Sequence, residues 1–288
     1  VLTKTAPQSG DIAAVYGWNT NNNYLGQAGG SFIDRGDFHD FTIDQNVGGQ
    51  RAEYVGLSAE NDAVCVAWVT VSQFDDTRGS ALTGDVGSQC GQNWYENVEI
   101  AGFFKDGGDY RPRCSWLDGD MSEGIPSAAM KFASSYYGEK TTDSVNDACG
   151  GAIWGADTGP ISGTPGGAPP TRRDLVTRDP TTLPISQRNT KPRQQWMEEK
   201  LVVSNITTHR AENLCGSVTS WGPDFVGSDG QYCDMTTKTL TPICDAASPV
   251  DSCYDIDHSS KTVLKRTTVG RREVQLPHKS FKQLSYWS

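Results

Sequence analysis

The chain of 288 residues has no apolar run near the roughly 18–20 residues that a membrane-crossing helix needs. Its longest, "AVCVAWVTV" at 63–71, reads as a strand. Histidine is scarce, with only positions 39, 209, 258 and 278, and no cysteine pair shows C-x-x-C spacing or a histidine at zinc-ligand distance. That argues against a zinc or His-rich metal centre. There is no G-x-S-x-G, no H-E-x-x-H, no Walker loop and no G-x-G-x-x-G after a strand, so the common hydrolase, metalloprotease and nucleotide-binding signatures are missing. Basic charge is thin where the chain reads as folded. Residues 1–157 hold 9 Lys and Arg against 22 Asp and Glu, and residues 196–257 hold 3 against 10. Phosphate contacts need clustered Lys and Arg, so no nucleic-acid partner is expected. No cofactor is implied, and no membrane span.

What is present is cysteine in even number: Cys65, Cys90, Cys114, Cys149, Cys215, Cys233, Cys244 and Cys253. Eight cysteines without metal spacing read as disulfides, the first four and the last four pairing among themselves, in an oxidising compartment. Four cysteines allow three connectivities, and spacing does not choose among them. "NIT" at Asn205 is a glycosylation sequon, and a start at Val1 is read as a mature chain whose leader has been removed. The expected localisation is secreted, extracellular.

The fold class expected is mainly β: a disulfide-stabilised β-sandwich or jelly-roll-like domain at 1–157 with one packed helix, then a small cysteine-rich β region at 196–257. "AEYVGL", "DAVCVAWVTVS", "NWYENVEIAGFF", "GGAIWG" and "KLVVSNIT" read as strands between Gly- and Asn-rich turns. "IPSAAMKFASSYYG" at 125–138 predicts the helix, with Pro126 in the first turn, apolar residues at helical spacing and Gly138 as the stop. Residues 158–195 hold 7 of the 14 prolines and no cysteine, and read as a linker or long loop. Residues 258–288, with 7 basic residues against 1 acidic, read as a solvated basic tail. Dibasic pairs lie in these two segments, so a kexin-like protease is expected to cut, if at all, after Arg173, Arg266 or Arg272.

Candidate chemistry is carboxylate chemistry. "SFIDRGDFHDFTID" brings Asp34, Asp37, Asp40 and Asp44 near His39, and "CSWLDGDMSEG" sets Asp118, Asp120 and Glu123 beside Trp116. Two carboxylates flanking a sugar on a tryptophan platform are what a glycosidase uses, one as acid and one as base or nucleophile. Asp118, Asp120 and Ser122 also begin like a calcium loop, but Glu123 stands where an EF-hand needs glycine and Ala129 where it needs glutamate. Against these stands the bland reading: an acidic chain scatters such clusters over ordinary turns. Arg35-Gly36-Asp37 matches a cell-adhesion tripeptide, a length that recurs by chance. Trp18, Trp94, Trp116 and Trp221 sit in polar, Gly-rich surroundings and are candidates to stack on a glycan or anchor a protein, against the alternative of indoles pinning a disulfide-rich surface.

"LCGSVTSWGPDFVGSDGQYCDMTTKTLTPICD", with "FHDFTI", "EYVGL", "NDAVCVAWVTV" and "CGQNWY", resembles a group of secreted proteins of filamentous ascomycete fungi. The resemblance implies a fungal, extracellular origin; it carries no active-site residue, because the group has no assigned activity. The function expected is therefore binding outside the cell, to a cell-wall glycan or a host protein, in an effector-like role. The alternatives are a carbohydrate-active hydrolase or lyase using the paired carboxylates, and a structural wall or spore-surface protein.

Overall fold

The computed structural model describes residues 2–5, 9–75, 79–138, 143–166, 193–244, 253–269 and 272–288, with side chains given from residue 9 onward except at 268, 269, 272 and 273. It divides into two compact units, Val1–Thr177 and Arg178–Ser288. Arg173, and with it the first dibasic pair, lies outside the described residues.

The first unit runs β1 (Leu2–Thr5), β2 (Gly10–Trp18), β3 (Tyr24–Ile33), β4 (Phe38–Asp40), β5 (Asp44–Gln45), β6 (Tyr54–Ala59), β7 (Val64–Val71), β8 (Ser80–Thr83), α1 (Gly84–Gln89), β9 (Trp94–Tyr95), β10 (Gly102–Phe103), β11 (Asp109–Tyr110), β12 (Cys114–Leu117), β13 (Ala129–Ala133), α2 (Val145–Gly150) and β14 (Ala152–Gly155). One sheet has the order β4-β1-β7-β12-β9 with β8 also on β7; the other is β14-β13-β6-β2-β3-β5, and β10 and β11 form a separate hairpin. Val15, Val55, Leu57, Met130 and Phe132 of the second sheet share one buried cluster with Val64, Val66, Val69 and Val71 of the first. Alternate side chains of paired strands fill the space between two sheets, which makes the unit a β-sandwich. Cys65–Cys114 joins neighbouring strands β7 and β12, and Cys90–Cys149 joins the end of α1 to α2.

The helix expected at 125–138 is not there. Residues 129–133 form β13, hydrogen-bonded to β6 on one side and β14 on the other. Met130 and Phe132 face the sandwich core, while Lys131 joins Trp18 and Tyr54 on the opposite face. Both faces are buried, so the period-2 signal was hidden by apolar residues at every position but Lys131.

Lys131 fixes the chain that follows. Its buried ammonium lies 3.8 Å from the centre of the Trp18 ring and donates to Asn22 Oδ1 (2.6 Å), Ile161 O (3.0 Å) and Gly163 O (2.8 Å). Tyr16 donates to Thr158 O and Asn22 to Ser162 O. Residues 158–163, which open the Pro-rich stretch, are thus strapped to the outer face of the second sheet by a cation and hydrogen bonds, with Ile161 half-buried beside Gly155. Burial lowers the Lys131 pKa to about 8.

The second unit runs α3 (Gln195–Glu198), β15 (Lys200–Ser204), α4 (Ala211–Gly216), β16 (Asp224–Val226), β17 (Gln231–Asp234), β18 (Thr239–Pro242), β19 (Tyr254–Asp257), β20 (Thr262–Val269), β21 (Arg272–Ser280) and β22 (Gln283–Trp287). Its main sheet is β18-β17-β16-β15-β22, with β19-β20-β21 as a second. The stretch 258–288 is therefore not a solvated tail. Its last strand lies parallel to β15, placing Trp287 beside Phe225 and His209 in the interior. Arg266 sits mid-strand in β20, paired to β19 and β21, with its guanidinium on Asp255 at 2.9–3.0 Å. A protease needs extended, unpaired chain, so the Lys265-Arg266 site is closed in the folded protein. Arg272 opens β21, and its neighbour Arg271 lies outside the described residues. Cys215–Cys233 and Cys244–Cys253 complete the pairing, with no free cysteine.

Candidate functional site

The four tryptophans that were candidates to stack on a ligand are buried: Trp18, Trp94, Trp116 and Trp221 are at most 3% exposed. Trp18 closes β2, Trp94 opens β9 and Trp116 lies within β12, so the polar residues around them belong to strand ends rather than to open loops. Two of the ring faces are already taken by the protein's own cations, Lys131 over Trp18 and the Arg113 guanidinium 4.4 Å from the Trp94 centre. Exposed aromatic surface in the first unit includes several phenylalanines, which the sequence did not mark out. Phe103 is 73% exposed, and Phe104, Phe38, Phe32 and Ile100 are also exposed. Phe103 and Phe104 lead into the β10–β11 hairpin, where Phe104 packs edge-on against Tyr110 at 5.4 Å.

Phe32 and Phe38 flank a tight turn at 34–37, closed by Asp37 N donating to Asp34 O (3.0 Å), with Gly36 at φ 75°. A Cβ at Gly36 would stand 2.8 Å from Glu99 Oε1, so this turn and the loop carrying Ile100 meet. The Arg35-Gly36-Asp37 tripeptide and the candidates Asp37, His39 and Asp40 are on this exposed turn and the strand after it. His39 Nδ1 is 3.4 Å from Ser31 Oγ, and its ring rests 4.7 Å from Phe41. Asp44, in β5, is exposed. These side chains do not enclose a reacting centre.

Asp118, Asp120 and Glu123 do converge: each offers a carboxylate oxygen within 4.8 Å of the others. Asp118 directly follows β12, its N–H held by Ser127 O at 2.9 Å. The loop turns back through two left-handed residues, Met121 (φ 57°) and Gly124 (φ 74°). Glu123 N donates to Asp118 Oδ2 (3.1 Å) and Ser122 N to Asp120 Oδ1 (2.9 Å). Burial first, then the shared contact with Glu123, raises the Asp118 pKa to about 7, while donors from Ser122 lower that of Asp120. A glycosidase pair holds its carboxyls about 5–5.5 Å apart when retaining and about 6.5–9.5 Å apart when inverting, with a sugar between them. The oxygens of Asp118, Asp120 and Glu123 lie closer together than the carboxyls of an inverting pair, and Asp118 is buried.

A second buried carboxyl was not marked by the sequence. Glu96 is 3% exposed, and its Oε1 lies 3.9 Å from Arg113 Nε without a hydrogen-bond partner. Burial raises its pKa from 4.5 to about 7, with Arg113 pulling it down and Asp85 pushing it up. The folded state therefore holds a proton that the unfolded chain releases between pH 4.5 and about 7, and stability falls as pH rises through that window. The total is at most about 3 kcal/mol. Urea unfolding of Glu96→Gln is expected to show that much less decline between pH 4.5 and 8 than the parent protein. An unchanged profile would mean that Glu96 is ionised and hydrated when folded.

No protein-family model, curated protein or solved structure matches the chain.

Proposed function

We propose that this is a secreted fungal protein that binds a cell-wall glycan through the exposed aromatic surface of its first unit. Four disulfides with no free cysteine fit an oxidising compartment, and no described helix is long and apolar enough to cross a membrane. Asn205, exposed just after β15, is open to glycosylation there. The observation that carries the binding reading is the set of exposed rings, Phe32, Phe38, Phe103 and Phe104, on elements that meet at Gly36 and Glu99. Rings carried on or beside paired strands need less ordering on binding than rings on a flexible segment, and pyranose faces stack on aromatic rings.

Insoluble chitin, β-glucan, cellulose and xylan are incubated with the purified protein and depletion from the supernatant is read. One polymer is expected to deplete it selectively, and Phe103→Ser/Phe104→Ser to weaken that about tenfold, or roughly 1.4 kcal/mol. No depletion by any polymer would sink the glycan reading and turn the search to a protein partner.

A further inference from the structure

We propose that Asp118, Asp120 and Glu123 form a binding site for a divalent cation of the calcium class, independent of the glycan-binding reading. Three carboxylates within 4.8 Å of one another place up to three negative charges in one loop. No Lys or Arg is paired with Asp118 or Asp120 among the described residues. Left alone, such charges repel, and either a proton or a cation must relieve them.

The second observation concerns Asp118 alone. The residue is 0% exposed, yet its Oδ1 is buried without a hydrogen-bond partner, while Oδ2 is satisfied by Glu123 N. A buried carboxylate oxygen without a donor is costly, and native interiors rarely leave one so. Asp118 is one of the three residues whose carboxylate oxygens lie within 4.8 Å of one another. A bound cation would supply what Oδ1 lacks.

The donor set selects the ion. All three ligands are hard carboxylate oxygens with no nitrogen or sulfur among them, which suits calcium or magnesium rather than zinc or copper. An irregular loop that turns through Met121 and Gly124 matches the variable coordination of calcium better than the strict octahedron of magnesium. Backbone N–H groups of Ser122 and Glu123 already hold the Asp120 and Asp118 carboxylates, so loading the site needs little rearrangement of these two. Three protein carboxylates on a surface loop place the site among the weaker extracellular calcium modules, with dissociation constants of about 0.1–1 mM. The loop begins at EF-hand spacing with Asp118 and Asp120 and departs from it at Glu123 and Ala129, so the full motif does not match.

Terbium luminescence, sensitised by Trp116 two residues before Asp118, tests this on the full chain. A saturable signal is expected, displaced by calcium at about millimolar concentration and at least about tenfold weaker in Asp120→Asn and in Glu123→Gln. Asp120 is exposed, so its variant tests ligation rather than folding, and near-UV dichroism confirms that it is folded. The proposal is overturned by an unsaturable signal in the parent protein, by unchanged affinity in folded Asp120→Asn, or by magnesium displacing terbium as well as calcium does.

Discussion

Asp224→Ala is expected to cost the second unit about 3–5 kcal/mol, the loss typical of breaking a buried charge pair from one side. The carboxylate is 0% exposed and accepts from Arg193 Nη1 (2.7 Å), Tyr232 OH (2.7 Å), Lys279 Nζ (2.6 Å) and Met235 N (3.1 Å). Without it, the Arg193 guanidinium, only 4% exposed, would be left inside with a neutral partner, Gly222 O, and the hydroxyl of Thr236. The Tyr232 hydroxyl, whose pKa burial and then Asp224 push upward, would lose its acceptor. Lys279 is 22% exposed and still within 3.5 Å of Asp234, so it relaxes toward water and contributes least to the loss. Hydrogen exchange of the β15, β16 and β22 amides reads the effect unit by unit. Asp224→Asn, which keeps an acceptor for one donor, is expected to lose less. A loss below about 1 kcal/mol in the alanine variant would mean that Arg193 finds water in the folded state.

Removing Cys65–Cys114 by the double substitution to alanine is expected to cost about 4 kcal/mol, because the bond closes a loop of 49 residues in the unfolded chain. Cys244–Cys253, separated by only 9, is worth about 2.6 kcal/mol by the same reasoning. The larger loss falls on the sandwich, where the loops closed by Cys65–Cys114 and Cys90–Cys149 overlap in sequence, so that each limits the freedom of the other in the unfolded chain. Urea midpoints of the two double variants, followed through exchange of β7 and of β17, check the order. If the short bond costs as much as the long one, native packing around the sulfurs outweighs loop closure.

The sequence made the strands legible wherever one pattern dominated. "DAVCVAWVTVS" became β7 and "KLVVSNIT" became β15 because β-branched and other apolar residues dominate both runs. It misled at β13, where Pro126, two alanines four apart and a phenylalanine fit a helix as readily as a strand; pairing with both β6 and β14 decided the matter. It misled again at 258–288, where seven basic residues masked the alternation of β20 and β21. Tryptophan exposure was judged from sequence neighbours, yet Trp116 is buried because its strand lies between β7 and β9. The three carboxylates at 118, 120 and 123 could be read because the site is local. Arg193, Asp224 and Lys279 could not, since they lie 31 and 55 residues apart in sequence and tertiary pairing such as that of β22 with β15 brings them together.

The placement of the four disulfides has a consequence for the fate of the chain. Each one begins and ends within a single unit, and no covalent bond other than the peptide backbone passes from one unit to the other. One broken peptide bond between Gly166 and Arg193 would therefore turn a single polypeptide into two, each still fully oxidised and keeping its own staples. On a non-reducing gel the nicked protein would run as two species rather than one. The same cysteines that make each half durable do nothing to make the whole indivisible.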